Sequence, residues 1–485
     1  MITDGTRLGA SHATLMTILR EAPELREGPE LARILELLRE RRAMDLSDLP
    51  PAEQAALISA RSQELLPSAE DLASRLAAAS GEGRRLIVKF GIDPTAAEVH
   101  VGHAVPMIIA SRFQRMGHQV VFIVGDITAK IGDPSGRTAD RPPLTDDDIR
   151  ANMATYRDQV TPFFDFTRAS FRYNSQWLAP ITLPEFIGVL EKLPVAASLQ
   201  REDFRARLAA GSGLTMAELV YSVVMALDSV KITADVELGG LDQLLNMQMC
   251  RRVMENAGQE PEIIIATGLI EGTDGAGAKM SKSKGNYVGL AFEPKDVFGK
   301  LMSAADRLMP AYLRALTELL DPEIDLIMQL SADRKIHPMG VKTLLASDVT
   351  AAVHGIDQAD AAHAGFTARF SAKRFSDTPD LPVVTLAEHA GSTVAELFAK
   401  VTHLVPSLGQ VRRVAAGGGL RLVTEVPGRD QEAALLAEAD ATATLGSLLR
   451  AHEAVTGQSG ARNFLKCGRS LIEVTGRRPG RAARR

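Results

Sequence analysis

RLIVKFGI at residues 85–92, HVGHAVPMIIASRFQRMGH at 100–118 and VVFIVGD at 120–126 decide the fold. The outer two are apolar runs of strand length, and the middle one repeats its apolar residues at helical spacing. Strand, helix and strand so close together make a βαβ unit, which predicts a parallel sheet with helices against it. EIIIA at 262–266 reads as another buried strand, following a long helical segment that contains Leu244, Met247, Met249 and Val253.

On the N-terminal side, Leu31, Ile34, Leu35, Leu37 and Leu38 recur among Arg and Glu at helical spacing. Leu57, Ile58 and Leu65 continue that theme after Pro50-Pro51, until Gly81-Glu82-Gly83 ends it. On the C-terminal side, Leu301, Met302, Leu308, Leu316, Leu319 and Leu320 mark a second helical region from Pro294 to about Phe370. A Pro- and Asp-containing linker at 377–382 leads to a small C-terminal region. There, helix-like STVAELFAKV and LGQVRRVAA precede a triple-glycine turn and strand-like LRLVTEV. Strand-like SLIEVTG and a basic tail, RRPGRAARR, close the chain; such a tail is commonly only a solubilising end.

A length of 485 residues suggests about two to four domains. Apolar content of 45% and charged content of 24% are ordinary for a globular protein. The net charge of -5 excludes a global field for nucleic acid, so any RNA contact must use a local basic surface. Two cysteines, Cys250 and Cys467, make no disulfide framework and no metal spacing. No segment approaches the ~20 uninterrupted apolar residues of a membrane span, and the first residues lack a signal-peptide pattern. The expectation is a cytoplasmic protein without a membrane partner.

Two loops carry the chemistry. The first runs from Gly91-Ile92-Asp93-Pro94-Thr95 to His100-Val101-Gly102-His103 at the head of a helix. Free N–H groups and partial positive charge at a helix start suit a polyphosphate. Gly102 allows close approach to the backbone. Two imidazoles and the Thr95 hydroxyl can donate to phosphate oxygens as charge moves. Two histidines near a turn are ordinarily surface or core residues; their place after a strand and at a helix start argues for more.

The second loop, GAGAKMSKSKGN at 275–286, is Gly-rich and holds Lys279, Lys282 and Lys284. Such a segment is ordinarily a solvated basic loop, yet its ammonium groups can also follow a departing pyrophosphate. Together, and about 180 residues apart around a parallel sheet, the loops specify attack of a carboxylate on the α-phosphorus of ATP. That reaction needs positioning and charge stabilisation rather than a nucleophile–base pair. Mg²⁺ is expected with ATP, although no dedicated carboxylate cage stands out.

The chain resembles the bacterial tyrosine–tRNA ligases, which are class I aminoacyl-tRNA synthetases. The segments that carry the resemblance are KFGIDPTAAEVHVGH, GDITAKIGDPSG, RPPLT, YNSQWL, ADVELGGLDQ and KMSKSKGNYVG, over roughly half the chain. SLGQVRRVAAGGGLRLV resembles the start of an S4-type RNA-binding module. The resemblance implies an α/β protein with a Rossmann-like parallel-sheet catalytic domain at 81–290 and a helical N-terminal extension at 1–80. It implies further a helical anticodon-type, tRNA-binding domain at 291–380 and a small α+β S4-like domain at 381–485. ATP, tyrosine and tRNA are the implied substrates and a homodimer the implied assembly.

Carried over by position, the resemblance places Asp93 and Asp133 near the substrate ammonium, and Thr95, His100 and His103 on the ATP phosphates. Gly91, Gly102 and Met280 would border the nucleotide, and Asp242 would bind its ribose. Lys279, Lys282 and Ser283 belong to the mobile second loop, while Arg137 and Arg141 would act on pyrophosphate. Tyr221 and Gln243 would hold the amino-acid backbone, and Asp228 would receive a phenolic hydroxyl. Three positions depart from the usual pattern: Met225 replaces a Gln, Leu227 replaces a Tyr, and Lys89 stands where many relatives have a tyrosine. An insertion of about 40 residues also separates the S4-like start from NFLKCGRSLIEV. Other readings of the same motifs are a secondary ligase with an altered pocket, a non-catalytic RNA-binding paralogue, and adenylation for a non-tRNA acceptor.

Overall fold

A computed structural model describes residues 6–135, 144–199, 202–211, 213–371, 375–377, 381–425, 432–451, 461–468 and 470–475. They fall into two compact units, residues 1–360 and 361–485. Among them, no helix is long and apolar enough to cross a membrane.

The first unit is built on a six-stranded sheet of β1 (Glu64–Leu66), β2 (Ile87–Ile92), β3 (Gln119–Val124), β4 (Ser170–Tyr173), β5 (Val236–Gly240) and β6 (Ile263–Thr267). Its spatial order is β1-β6-β5-β2-β3-β4, parallel throughout except for β1, which pairs antiparallel to β6. β3 and β6 are buried almost end to end, because helices cover the sheet and strand positions of both parities meet apolar partners. Val121 and Ile123 pack against Val220, Val224 and Leu227 of the helix Met216–Ile232. Phe122, pointing the other way, stacks on Phe171 and meets Phe90 edge-on. The predicted βαβ unit is therefore β2, the helix Val101–Arg115 and β3.

The order in which strands are added reverses at β2: β3 and β4 extend the sheet one way, β5 and β6 the other. The carboxyl ends of β2 and β5 thus part at a switch point, where a doubly wound sheet opens a crevice.

The N-terminal helices Arg7–Arg20 and Pro29–Ala43 join this unit rather than standing apart. Arg41 is buried and forms a two-pronged ion pair with Glu323, which also bonds His12 Nδ1 at 2.8 Å. Arg112 and Arg115, on the helix after β2, both pair with Glu318. Leu65 corrects the sequence reading. It lies in the edge strand β1, not in a helix, because the register of β1 against Ala266, Ile265 and Ile264 outweighs local spacing. β4 and β5 were not among the expected strands.

The second unit holds a five-stranded sheet: β7 (Val383–Thr385), β8 (Leu420–Glu425), β9 (Glu432–Leu435), β10 (Arg462–Cys467) and β11 (Ser470–Thr475), in the order β7-β11-β10-β8-β9. NFLKCGRSLIEV forms a hairpin of β10 and β11, and Gly468, at φ +58°, takes the left-handed conformation between them. The described residues of the insertion belong to this fold. They supply the edge strand β9 and the helix Leu445–Ala451, whose Leu445 and Leu448 enter the core with Phe398, Val411, Leu422 and Leu465.

Candidate active site

The carboxyl ends of β2, β3, β5 and β6 surround a cavity of about 660 Å³. Lys89, Gly91, Asp93, Thr95, His100, Gly102, His103, Asp133, Tyr221, Met225, Asp228, Asp242, Gln243, Lys279, Met280, Lys282 and Ser283 all line it. Of the residues picked out from sequence, Arg137 and Arg141 lie outside the described residues. Parallel strands deliver their following loops to one edge, and the helix Met216–Ile232 adds Tyr221, Met225 and Asp228 from its side.

At the first loop, His100 caps the helix Val101–Arg115 with its side chain. Its Nδ1 accepts the Gly102 N–H at 3.1 Å, and His103 Nδ1 accepts the His100 N–H at 3.3 Å. Both lone pairs at Nδ1 are thereby used, which leaves the ring proton of each neutral imidazole on Nε2. Burial, followed by the charges of Lys282 and Lys279, lowers His100 to about 4. His103 is held well below its ordinary range by burial, then by His100 and the same lysines. The pair is a set of neutral N–H donors. Gly102 is required for a reason other than ligand access: a Cβ there would lie 2.9 Å from the His100 ring.

The second loop is fastened from within. Asn286 is buried, accepts the Ser281 N–H on its side chain at 2.9 Å and takes the Thr273 N–H on its carbonyl. Gly272 has no room for a Cβ against the Asn286 amide, 2.1 Å away. The loop is also tied to the first: Val101 N–H donates to the Val288 carbonyl and Leu290 N–H to the Val99 carbonyl. Tyr287 adds a hydroxyl bond to Glu98. Lys279 Nζ reaches Asp242 Oδ2 at 3.0 Å. One end of the cavity is therefore cationic and rich in donors.

The other end is anionic. Asp93 accepts from Thr128 Oγ1 at 2.6 Å and from the Tyr221 hydroxyl at 2.8 Å. Burial raises its pKa to about 7 against those two bonds, with Asp133 and Asp228 adding to the rise. Asp133 accepts from Gln243 Nε2 at 2.7 Å and from Asn246 Nδ2 at 3.4 Å, while Asn246 also donates to Gln243 Oε1. These oriented carboxylates suit an ammonium group.

Deeper, Asp228 is 4% exposed and accepts from Trp177 Nε1 at 2.8 Å and Asn174 Nδ2 at 3.4 Å. Burial raises it to about 6, while Lys89 and the two donors resist. At neutral pH it is a buried carboxylate with acceptor capacity to spare, and so can read a hydroxyl. Met225 lines the cavity and packs near Met247, whereas Leu227 faces Trp177 and the sheet, outside the lining. Lys89 directs its ammonium to Glu237, which also lines the cavity, at 2.6 Å and to Ser229 Oγ at 2.8 Å.

Sequence reasoning assigned no role to Thr128, Asn174, Trp177, Asn246 or Asn286. The signal was available: all five stand in or beside the segments quoted above, and Asn246 follows Gln243 by one helical turn.

Comparison with known proteins agrees with the geometry. The family described as "tRNA synthetases class I (W and Y)" matches residues 81–371. The tyrosine–tRNA ligase of Thermotoga maritima is 37% identical over 372 residues, 77% of this chain and 90% of that protein. That of Cupriavidus pinatubonensis is 40% identical over 375 residues, 77% of this chain and 89% of its own length. Among solved structures, a C-terminally truncated mitochondrial tyrosyl-tRNA synthetase from Coccidioides posadasii superposes with a TM-score of 0.53 at 22% identity. It covers 73% of this chain and 99% of its own, and attests the fold.

Proposed function

Because the chain belongs to the class I tRNA synthetases of the tryptophan and tyrosine type, we propose that it joins tyrosine to its tRNA in two steps. The tyrosine carboxylate attacks the α-phosphorus of ATP, the bond to pyrophosphate breaks, and tyrosyl-adenylate forms. A hydroxyl of the tRNA's terminal ribose then attacks the activated carbonyl, and AMP leaves. The observation that carries this reading is Asp228, a buried carboxylate with two N–H donors, lining the same cavity as His100, His103 and the Lys279–Ser283 loop.

In this reading Asp93, Asp133, Tyr221 and Gln243 hold the α-ammonium, and Asp228 accepts the phenolic hydrogen. Lys89 and Met225 complete that pocket. Thr95, His100 and His103 donate to the phosphates as charge builds on them, and Asp242 takes the ribose hydroxyls beside Gly91, Gly102 and Met280. Lys279, Lys282 and Ser283 follow the leaving pyrophosphate, assisted by Arg137 and Arg141. Mg²⁺ would enter as part of the ATP substrate and would offset phosphate charge, while Asp93, Asp133 and Asp242 are each engaged by protein donors. The reaction takes place in the cytoplasm.

The second unit is assigned to tRNA, supported by the exposed Arg412, Arg413 and Arg421. A homodimer is the proposed assembly: segment 183–216 exposes Leu183 at 70% and Met216 at 74%, with Ile187, Val195 and Leu208 also exposed, and association would cover such surface. Pyrophosphate exchange across all twenty amino acids tests the activation step, and charging of tRNA the second. Exchange with another amino acid in preference to tyrosine would overturn the assignment. Sedimentation equilibrium tests the dimer.

A further inference from the structure

In the wall of the amino-acid pocket, where Lys89 and Glu237 line it, lies a group of deeply buried ionisable side chains. Lys89 is 1% exposed, Glu237 2%, and Glu262 and Cys250 0%. Lys89 Nζ bonds Glu237 Oε1, Ser229 Oγ and, at 3.4 Å, the Met225 carbonyl. Ser229 in turn donates to Glu262 Oε1 at 3.2 Å. That leaves one oxygen on each glutamate, Glu237 Oε2 and Glu262 Oε2, buried without a hydrogen-bond partner. The two carboxyls and the Cys250 sulfur come within 4.8 Å of one another.

Two bare carboxylates at that separation in a dry interior repel, and two orphaned acceptors are costly. One proton on one carboxyl, donated to the other, satisfies both oxygens and leaves a single negative charge against the single positive charge of Lys89. We propose that Glu237 and Glu262 share one proton, and that the one anion they supply keeps the Lys89 ammonium off Asp228, which makes both glutamates positioning residues for recognition of the phenol. Burial works in the same direction, holding Glu262 well above the ordinary carboxyl range while Lys89 keeps Glu237 ionised. A divalent cation is the wrong occupant for this position, because the Lys89 ammonium already sits on Glu237. Without the shared anion, Asp228 would be the remaining buried carboxylate beside Lys89, and pairing with it would remove the acceptor a phenol needs. The role rests on the tyrosine reading above.

The experiment is a double-mutant cycle on the full chain. Glu237→Gln and Glu262→Gln each leave one carboxyl to carry the charge, so each alone raises the KM for tyrosine by only about threefold. The double variant removes the anion altogether. Its KM for tyrosine rises more than about thirtyfold, beyond the product of the singles, and its preference for tyrosine over phenylalanine narrows while the KM for ATP holds. Additive effects would overturn the shared proton, as would a single variant as damaged as the double. The infrared spectrum supplies a readout independent of activity. The parent shows the carbonyl stretch of a protonated carboxyl at about pH 9, above the range in which Asp93 and Asp228 hold a proton, and both single variants lack it. A parent without that band would end the proposal even if tyrosine is activated normally. A stoichiometric divalent metal that Glu262→Gln loses would end it too, whether or not the double variant folds.

Discussion

His100 and His103 stack ring on ring at 3.8 Å, and each imidazole accepts a backbone N–H of the same helix start on its Nδ1. The consequence is two Nε2–H donors held in place before any phosphate arrives, which is how charge stabilisation avoids reorganisation at the moment of reaction. His103→Ala should therefore slow adenylate formation by about 10²-fold or more, with tyrosine affinity changed by less than about threefold. Single-turnover rates set beside equilibrium tyrosine binding decide it; equal losses in both would contradict a transition-state role.

Asp228→Ala should lower kcat/KM for tyrosine by about ten- to a hundredfold, the worth of a hydrogen bond to a charged acceptor, and change that for phenylalanine far less. Exchange assays with the two amino acids give the ratio. An unchanged ratio would remove Asp228 from hydroxyl recognition.

The pH dependence has a defined sign. Asp93 titrates near 7 and Asp228 near 6, both raised chiefly by burial, while the histidines stay neutral down to about 4 in the case of His100. As pH falls from 7.5 through this window the carboxylates protonate, so kcat/KM for tyrosine falls with the acid limb they set. Folding responds oppositely. Asp228 binds its proton more tightly folded than unfolded, so its contribution to stability is present below about 4 and is lost as pH rises through about 6. The parent should gain up to about 3 kcal/mol relative to Asp228→Asn on acidification across that range, measured by urea unfolding.

Gly272→Ala places a Cβ where the Asn286 amide stands, and Asn286→Ala frees the Ser281 N–H. Both should loosen the Lys279–Ser283 segment, lowering kcat for exchange by about tenfold with a smaller effect on thermal stability. Faster limited proteolysis within 275–286 is the accompanying sign. Wild-type kcat in both variants would show that Asn286 does not hold the loop.

Glu323→Ala leaves Arg41 charged, buried and unpaired. Unfolding free energy should drop by about 3–5 kcal/mol, and by much less in an Arg41→Met/Glu323→Leu double variant. Equal losses would mean that the charges matter less than the packing.

Much of this molecule was legible in one dimension. The runs RLIVKFGI and VVFIVGD declare buried parallel strands because both of their faces meet helices, and the glycines and lysines around Lys279–Ser283 mark a phosphate-handling loop. What adjacency in sequence cannot express is pairing over distance. Leu65 follows helices yet lies in β1, since β6 supplies a free edge two hundred residues later. Met225 and Leu227, two residues apart on one helix, part company: one lines the cavity, the other packs on the sheet. Lys89 points to Glu237, so its charge is answered before any substrate could answer it. Periodicity and local motif carry the βαβ core, the two loops and the residue types suited to adenylate chemistry, so these were readable from residue order. Which donors face Asp228, why the histidines are neutral and where the buried carboxyls meet depend on hydrogen-bond partners and desolvation, and those come from neighbours that folding brings together.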